Sequence, residues 1–254
     1  MGTAGAQKAE RRQYSHLKRP SVAQGEDSLW IDLPSRCQVC GRWPAQAICA
    51  PCQARFATPV PRCPRCALRL PQGSSSCGHC LHQPLSLAHC WAVVDYAYPW
   101  HDVVQRFKFR QQPAWALTLG RLARQRPEIV SALANADEVI PIPLSPARLA
   151  ERGYNQAWEL VKALRPPRPL ATGLLKPGDT PHQTGQGRNA RHQQMRDAFV
   201  VHPTHLPRLA GRHLLVVDDV MTTGATLSAA ADALLRAGAS SVSGLCFART
   251  PADH

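Results

Sequence analysis

Eight of the ten cysteines form four CxxC pairs, and this pattern constrains the fold of the first third of the chain more than any other feature. The pairs are Cys37/Cys40, Cys49/Cys52, Cys63/Cys66 and Cys77/Cys80, separated by eight, ten and ten residues. A CxxC turn directs two thiolates at one point, and two such turns supply the four sulfur ligands that a structural zinc ion prefers. The sequence therefore predicts two structural zinc ions, each held by four cysteines.

The spacing leaves open which turns share a metal. Neighbouring turns close loops of about 16 residues and interleaved turns close loops of about 30, and one doubling of loop length costs only about 0.6 kcal/mol. The stiff segment Thr58-Pro-Val-Pro61 favours neighbouring turns, because it would separate two compact ribbons over residues 37–52 and 63–80. A four-cysteine site leaves no coordination position open, which favours a structural role over redox chemistry or nucleic-acid binding. Iron in place of zinc is an alternative that the sequence leaves open.

Length and charge limit the remaining possibilities. A chain of 254 residues is too long for a metal-stapled module alone, so a second folding unit is expected. The 30 Lys and Arg against 17 Asp and Glu give a net charge of +13, which attracts nucleic acid, nucleotides, diphosphate or an anionic membrane surface without choosing among them. Part of this charge lies in residues 1–29, which we interpret as a disordered basic leader or as the result of a start placed too far upstream.

The sequence predicts a cytoplasmic protein. We find no apolar run near the roughly 20 residues that span a bilayer and no secretory signal. In a reducing compartment, metal ligation is a better expectation for the CxxC pairs than disulfides. Cys90 and Cys246 lie outside the pairs in apolar runs and are interpreted as small buried hydrophobic residues.

From Ala88 onward, strand and helix signals alternate. Strands are predicted over residues 89–97, 138–142, 214–217 and 242–248, and helices over 103–109, 115–125, 156–164 and 225–236. Short apolar strands alternating with helices indicate an α/β fold with a mainly parallel sheet, whose ligands lie at the C-terminal ends of the strands. We therefore expect a small double zinc ribbon over residues 30–85, followed by an α/β domain over residues 88–250.

One strand is followed by two carboxylates and a Thr/Gly-rich turn. The run Leu214-Leu-Val-Val217 places the strand in the core, so Asp218 and Asp219 are expected at its lip, where vicinal sugar hydroxyls are well-suited hydrogen-bond donors. The turn from Thr222 to Thr226 at a helix start offers backbone N–H groups, hydroxyls and a favourable dipole for a phosphate. This pattern predicts a site for a ribose carrying a 5-phosphate.

Residues 214–226 resemble, at every position, the phosphoribosyl diphosphate (PRPP) signature of type I phosphoribosyltransferases. Residues 141–156, Phe107-Lys-Phe-Arg110, residues 180–188 and the four CxxC turns are similar to ComF-type proteins, and the similarity covers roughly residues 36–250. The resemblance implies a double zinc ribbon joined to a type I phosphoribosyltransferase-like domain. It further implies a role in competence, DNA uptake and the use of external DNA, with PRPP or a related ribose 5-phosphate and magnesium as ligands.

The same resemblance assigns roles to residues. It implies that Asp218 and Asp219 hold the ribose 2- and 3-hydroxyls and that magnesium bridges the diphosphate and ribose oxygens. Arg148 and Arg152, expected on a loop opposite, are candidates for the diphosphate or are ordinary surface charges. Arg188 and Arg191 lie in a stretch that is either a mobile flap over PRPP or an exposed loop. The full predicted PRPP loop comprises Asp218, Asp219, Val220, Met221, Thr222, Thr223, Gly224, Ala225 and Thr226.

Two functional hypotheses follow. The first is an accessory protein of DNA uptake that binds PRPP and contacts single-stranded nucleic acid. The acid-free stretch 103–127, with six Lys or Arg and with Phe107, Phe109 and Trp115 interleaved, favours it, although these aromatic residues could equally be core. The second is a phosphoribosyltransferase with an unidentified acceptor, for which the sequence assigns no catalytic residue.

Overall fold

The computed structural model describes residues 35–109, 112–168, 173–177 and 198–252. The chain divides into two compact units, residues 1–58 and 59–254. The predicted leader, the flap candidates Arg188 and Arg191, and Arg110 of the basic stretch lie outside the described residues. Among the helices of the described part of the chain, none is long and apolar enough to cross a membrane.

The first unit is built around the first two CxxC turns. A bridge pairs Ser35 with Ala45, and helix α1 (Ala50–Phe56) begins directly after Cys49. Ile48 is buried, and its carbonyl accepts a 2.7 Å hydrogen bond from the Gln53 side-chain amide. The two turns are joined by a hydrogen bond from the Cys49 N–H to Cys37 Sγ at 3.4 Å.

The second unit starts with the third and fourth CxxC turns. An isolated bridge pairs Arg62 with Arg69, and helix α2 (Gly78–His82) follows Cys77, whose sulfur accepts a hydrogen bond from the Cys80 backbone N–H. The side chains of this ribbon continue into the apolar core formed by the sheet strands and the last helix. This ribbon is thus part of the same compact unit as the sheet.

A four-stranded parallel sheet forms the centre of the second unit. Its strands are β1 (Cys90–Asp95), β2 (Glu138–Pro141), β5 (His213–Met221) and β6 (Ser241–Arg249), in the order β1-β6-β5-β2. The predicted α/β class with a mainly parallel sheet is confirmed. A separate antiparallel pair joins β3 (Leu174–Leu175) and β4 (Val200–Val201).

Helices flank this sheet. They are α3 (Trp100–Phe109), α4 (Trp115–Arg124), α5 (Pro127–Asn135), α6 (Pro146–Arg152), α7 (Gln156–Leu164), α8 (Leu206–Leu209) and α9 (Ala225–Arg236). Three of these, α5, α6 and α8, were not among the predicted helices, although Pro127, Pro146 and Pro207 stand in their first turns, where proline is well tolerated. Since α6 carries Arg148 and Arg152, the expectation of a loop for these two residues was wrong.

Candidate functional site

The eight paired cysteines form two clusters in which neighbouring turns share a site. The Sγ atoms of Cys37, Cys40, Cys49 and Cys52 all lie within 4.8 Å of one another, and so do those of Cys63, Cys66, Cys77 and Cys80. Tetrahedral zinc with Zn–S bonds near 2.3 Å needs sulfur atoms about 3.8 Å apart. The Cys40–Cys49 and Cys66–Cys77 sulfur pairs are separated by 3.6 Å and 3.5 Å, so each cluster fits a zinc ion.

Local hydrogen bonds prepare one thiol of the first cluster for metal binding. Burial opposes ionisation of Cys37, but backbone N–H groups of Cys49, Cys40 and Val39 outweigh it and lower the pKa of this thiol to about 6. Burial and the neighbouring cysteines raise the pKa of Cys52 to about 12. A bound cation deprotonates such a thiol outright, so metal binding at this cluster releases protons.

The aspartate pair lies within the last four residues of β5 instead of just beyond the strand. On one side β2 stops where Pro141 pairs with Val217, but on the other side β6 continues to the pair Met221 and Arg249. The longer neighbour extends β5 by four residues past its predicted end. Asp218 and Asp219 therefore stand at the edge that the end of β2 exposes.

Asp219 is buried, and among the described residues only one of its two carboxylate oxygens has a partner. Its side chain is 6% exposed, and Oδ1 lies 3.1 Å from Lys108 Nζ of α3. Oδ2 is also buried, and no hydrogen-bond partner for it is found among the described residues. A buried carboxylate oxygen without a donor is costly, so this atom favours a ligand that brings a hydroxyl or a cation. Lys108 was predicted as part of the basic stretch and not as a residue of this site.

Asp218 is half-buried next to Asp219. Its Oδ1 accepts a 2.8 Å hydrogen bond from the Asp219 backbone N–H. Burial, followed by the charge of Asp219, raises the pKa of Asp218 to about 7, against the opposing effect of Lys108. Because this pKa lies above that of an unfolded aspartate, about 3.9, the contribution to stability is full below about pH 4 and is lost as the pH rises through the folded value. A ligand that stabilises the ionised form of Asp218 offsets this loss of stability.

The turn after β5 exposes its hydroxyls. Thr222, Thr223 and Thr226 are exposed, and Thr223 Oγ1 accepts a 3.3 Å hydrogen bond from the Ala225 N–H at the start of the 12-residue helix α9. Gly224 precedes the helix with a φ of +88°, in the left-handed region that favours glycine. Backbone N–H groups at the start of a helix, together with its dipole, form a suitable site for a phosphate.

Gly224 has a second role that the sequence did not indicate. A Cβ atom at this position would lie 2.4 Å from Met221 Cε and 2.7 Å from Leu85 Cδ1. The lack of a side chain allows a ligand to approach the backbone here. In the structure, it also allows the side chains of the protein itself to pack under the turn.

The two diphosphate candidates have different surroundings. Arg148 is exposed on α6, and its backbone N–H is capped by Ser145 Oγ at 3.4 Å. Arg152 is partly buried: it lies 5.2 Å from the Phe109 ring centre, Nη1 donates to Gln156 Oε1 at 3.0 Å, and a partner for the buried Nε is missing from the described residues. Arg152 is therefore the more constrained of the two cations.

Tyr154 anchors the end of α3 that carries Lys108. Its hydroxyl donates to the carbonyl of Phe107, which holds the last turn of α3, and with it Lys108, against the junction between α6 and α7. Burial raises the pKa of Tyr154; the charge of Asp219 adds to this rise and the charge of Arg152 opposes it. Both charges thus act on the same phenol.

Comparison with known proteins identifies the family. Residues 175–254 match the phosphoribosyl transferase domain family. The DNA utilization protein YhgH of Shigella flexneri is 31% identical over 240 residues, which cover 87% of this chain and 99% of that protein. Competence protein F of Haemophilus influenzae is 32% identical over 75% of this chain and 85% of its own length, and competence protein ComFC of Bacillus subtilis is 34% identical over 44% of each chain. The chain belongs to the ComF family.

The basic stretch of this ComF-family protein offers fewer stacking faces than its sequence suggested. Phe107 is fully buried and Trp115 is 8% exposed, so the alternative that these two aromatic residues belong to the core is confirmed. Phe109 is 56% exposed and lies beside Arg152. Arg126 is also buried, whereas Arg121 and Arg124 of α4 are exposed.

Proposed function

We propose that this chain binds PRPP, or a related ribose 5-phosphate, with magnesium at residues 218–226 and acts in DNA utilisation. The observation that carries the proposal is the buried carboxylate of Asp219, which has Lys108 on one oxygen and no partner for the other among the described residues. Asp218 and an exposed threonine turn adjoin it. The family membership and the names of the relatives support the same conclusion.

Each part of the site has a role in this proposal. Asp218 and Asp219 accept hydrogen bonds from the ribose hydroxyls, and the turn from Thr222 to Thr226 donates backbone and hydroxyl hydrogens to the 5-phosphate. Lys108 contacts Asp219 Oδ1 and fixes the orientation of this carboxyl group. Magnesium, which prefers oxygen ligands, would supply charge neutralisation at the diphosphate.

The cations outside the loop complete the proposed site. Arg152, with its unsatisfied buried Nε, is the stronger diphosphate candidate, and Arg148 is the weaker one. Arg188 and Arg191 stay predictions, since they lie outside the described residues. The cytoplasmic location and a contact with the DNA-uptake machinery also stay predictions.

Binding of PRPP with magnesium should stabilise the protein. At a hundredfold excess over the dissociation constant, a ligand that binds only the folded state adds about 2.7 kcal/mol to the free energy of unfolding. Asp218→Asn combined with Asp219→Asn should abolish this gain, because amides accept hydrogen bonds from the hydroxyls less strongly and do not attract magnesium. Thermal unfolding with and without the ligand measures the effect.

A matched control neutralises two carboxylates elsewhere. Asp102→Asn with Asp232→Asn changes the net charge by the same amount, in α3 and α9, and should leave the ligand-induced shift unchanged. A shift that survives in the Asp218/Asp219 variant would place the ligand at another site. The same purified protein, incubated with PRPP and a panel of nitrogen acceptors, distinguishes a binding protein from an active phosphoribosyltransferase, since only the enzyme releases diphosphate.

A contact with single-stranded nucleic acid is the second part of the proposal, and exposed Arg121 and Arg124 on α4 favour it. Affinity should fall with salt, with a logarithmic slope of about −0.7 per phosphate neutralised. Arg121→Glu with Arg124→Glu should flatten this slope by more than one unit. Lys108 is left intact in this test because it pairs with Asp219.

The control for the nucleic-acid test reverses two other arginines. Arg212→Glu with Arg236→Glu alters the net charge equally outside α4 and should leave the slope as in the unmodified protein. Equal slopes in both double variants would show that α4 is not the contact surface. The assay uses a chain that starts near Leu29, so that the basic leader contributes no binding.

A further inference from the structure

One buried arginine joins the second cysteine cluster to the turn after β5. Arg249, the last residue of β6, is 7% exposed. Its Nε donates to the carbonyl of Cys66 at 2.8 Å. Its Nη1 donates to the carbonyls of Met221 at 3.3 Å and Thr250 at 2.7 Å, and also to that of Thr222. A single guanidinium therefore connects a cysteine of the cluster to the last residue of β5 and the first residue of the turn.

These contacts determine where the amides of the turn point. In a trans peptide, the N–H of one residue points away from the carbonyl of the residue before it. The Met221 carbonyl accepts from the Thr250 N–H at 2.9 Å as well as from Arg249, whereas the Thr222 carbonyl accepts from Arg249. The N–H groups of Thr222 and Thr223 are therefore directed to the opposite side, and Arg249 acts mainly on that of Thr223. These are the amides that the proposed function uses to bind the phosphate.

The chain between the cluster and β1 adds further contacts with the same turn and helix. The Ser86 N–H donates to Ser228 Oγ of α9 at 3.1 Å. Leu85 packs where a side chain at Gly224 would otherwise lie. Arg65 Nη1, from the third CxxC turn, donates to the Leu87 carbonyl at 2.7 Å and holds this chain in place.

We infer that Arg249 is a positioning residue for the phosphate-binding turn and that the second cysteine cluster, when it holds its metal, keeps Arg249 in place. This inference rests on the proposed function for its ligand. The third and fourth CxxC turns then form the floor of the binding site. The first cluster belongs to the other compact unit and has no such role.

The chain contains a matched control for Arg249. Arg62 also connects the second ribbon to the sheet: its Nη1 donates to the Ala67 carbonyl at 3.0 Å and to Asp95 Oδ1 at 2.8 Å. Its side chain is 12% exposed, so it is comparably enclosed. Asp95 ends β1 and not β5, so Arg62 supports the ribbon without contacting the turn.

The test compares Arg249→Met with Arg62→Met in the full chain. Native mass spectrometry should find two zinc ions in both. Without ligand, hydrogen exchange of the amides in residues 222–226 should be about tenfold faster in Arg249→Met. The dissociation constant for PRPP with magnesium should rise about tenfold in the same variant. Arg62→Met should keep both values within about twofold of the unmodified protein.

A second comparison removes one metal at a time. Cys63→Ser with Cys66→Ser should accelerate exchange in residues 222–226, whereas Cys37→Ser with Cys40→Ser should lose one zinc without this effect. If Arg249→Met does not fold, Arg249→Lys replaces it, since a lysine keeps the charge but reaches fewer carbonyls, and the same acceleration is expected.

The outcomes separate this inference from the proposed function. Unchanged exchange in the Arg249 variant, or equal acceleration in the Arg62 variant, would overturn the inference even if PRPP binds. If the unmodified protein binds no PRPP but exchange in the turn still depends on Arg249 and on the second cluster, the inference stands and the proposed ligand is wrong.

Discussion

Removal of metal with a chelator should release two zinc ions per chain and unfold residues 37–52 and 63–80. Structural zinc in comparable sites contributes about 10–16 kcal/mol of apparent binding free energy at neutral pH, far more than such short segments gain from their own apolar contacts. Seven of the eight ligands are buried, so without metal their thiols would crowd in an enclosed site. Native mass spectrometry measures the stoichiometry, and hydrogen exchange locates the unfolding.

The two clusters should differ in how far the unfolding spreads. Loss of the second metal should also loosen the start of β1, where the Cys90 N–H donates to the Pro64 carbonyl at 2.7 Å. Cys90→Ser with Cys246→Ser is the matched control, because these two buried cysteines lie outside both clusters and their loss should leave two zinc ions bound. A protein with one zinc, or with none and all its cysteines in disulfides, would contradict the prediction.

Gly224→Ala should destabilise the second unit by about 2–5 kcal/mol. A residue with a side chain in the left-handed region costs about 1–2 kcal/mol. Overpacking adds about 1–3 kcal/mol. The overlap is with Met221 Cε and Leu85 Cδ1, which are the flexible ends of side chains, so the protein should still fold. Denaturant unfolding measures the loss, and binding of PRPP should weaken because the turn must shift to accommodate the new methyl group.

Gly153→Ala separates the cost of the left-handed backbone from the cost of overpacking. Gly153 has a φ of +77° after α6, and nothing lies within 4 Å of the Cβ that an alanine would add. It should therefore cost only the left-handed term, about 1–2 kcal/mol. If both substitutions lower the free energy of unfolding equally, the packing of Met221 and Leu85 under the turn does not contribute to the effect of Gly224→Ala.

The sequence predicted well where local spacing determines the structure. The helices over residues 156–164 and 225–236 have the predicted bounds, because an Asn cap precedes the first and glycines flank the second. The neighbour pairing of the CxxC turns is confirmed as well, since short loops and a stiff spacer favour it. The placement of Phe107 and Trp115 remained undecided, because a short amphipathic pattern does not distinguish a core face from a binding face.

By itself, the sequence determined the α/β class, the two four-cysteine clusters and the family of the chain, since each depends on residues close together in the chain. Only the tertiary structure decided which distant residues support the candidate site. Lys108 reaches Asp219 and Arg249 reaches Cys66 across separations that no spacing rule covers. A lone basic residue in the sequence is compatible with solvent, nucleic acid or a buried acceptor. Its partner is decided by the register of the parallel strands and by the helix packing that bring remote carbonyls and carboxylates within hydrogen-bonding distance.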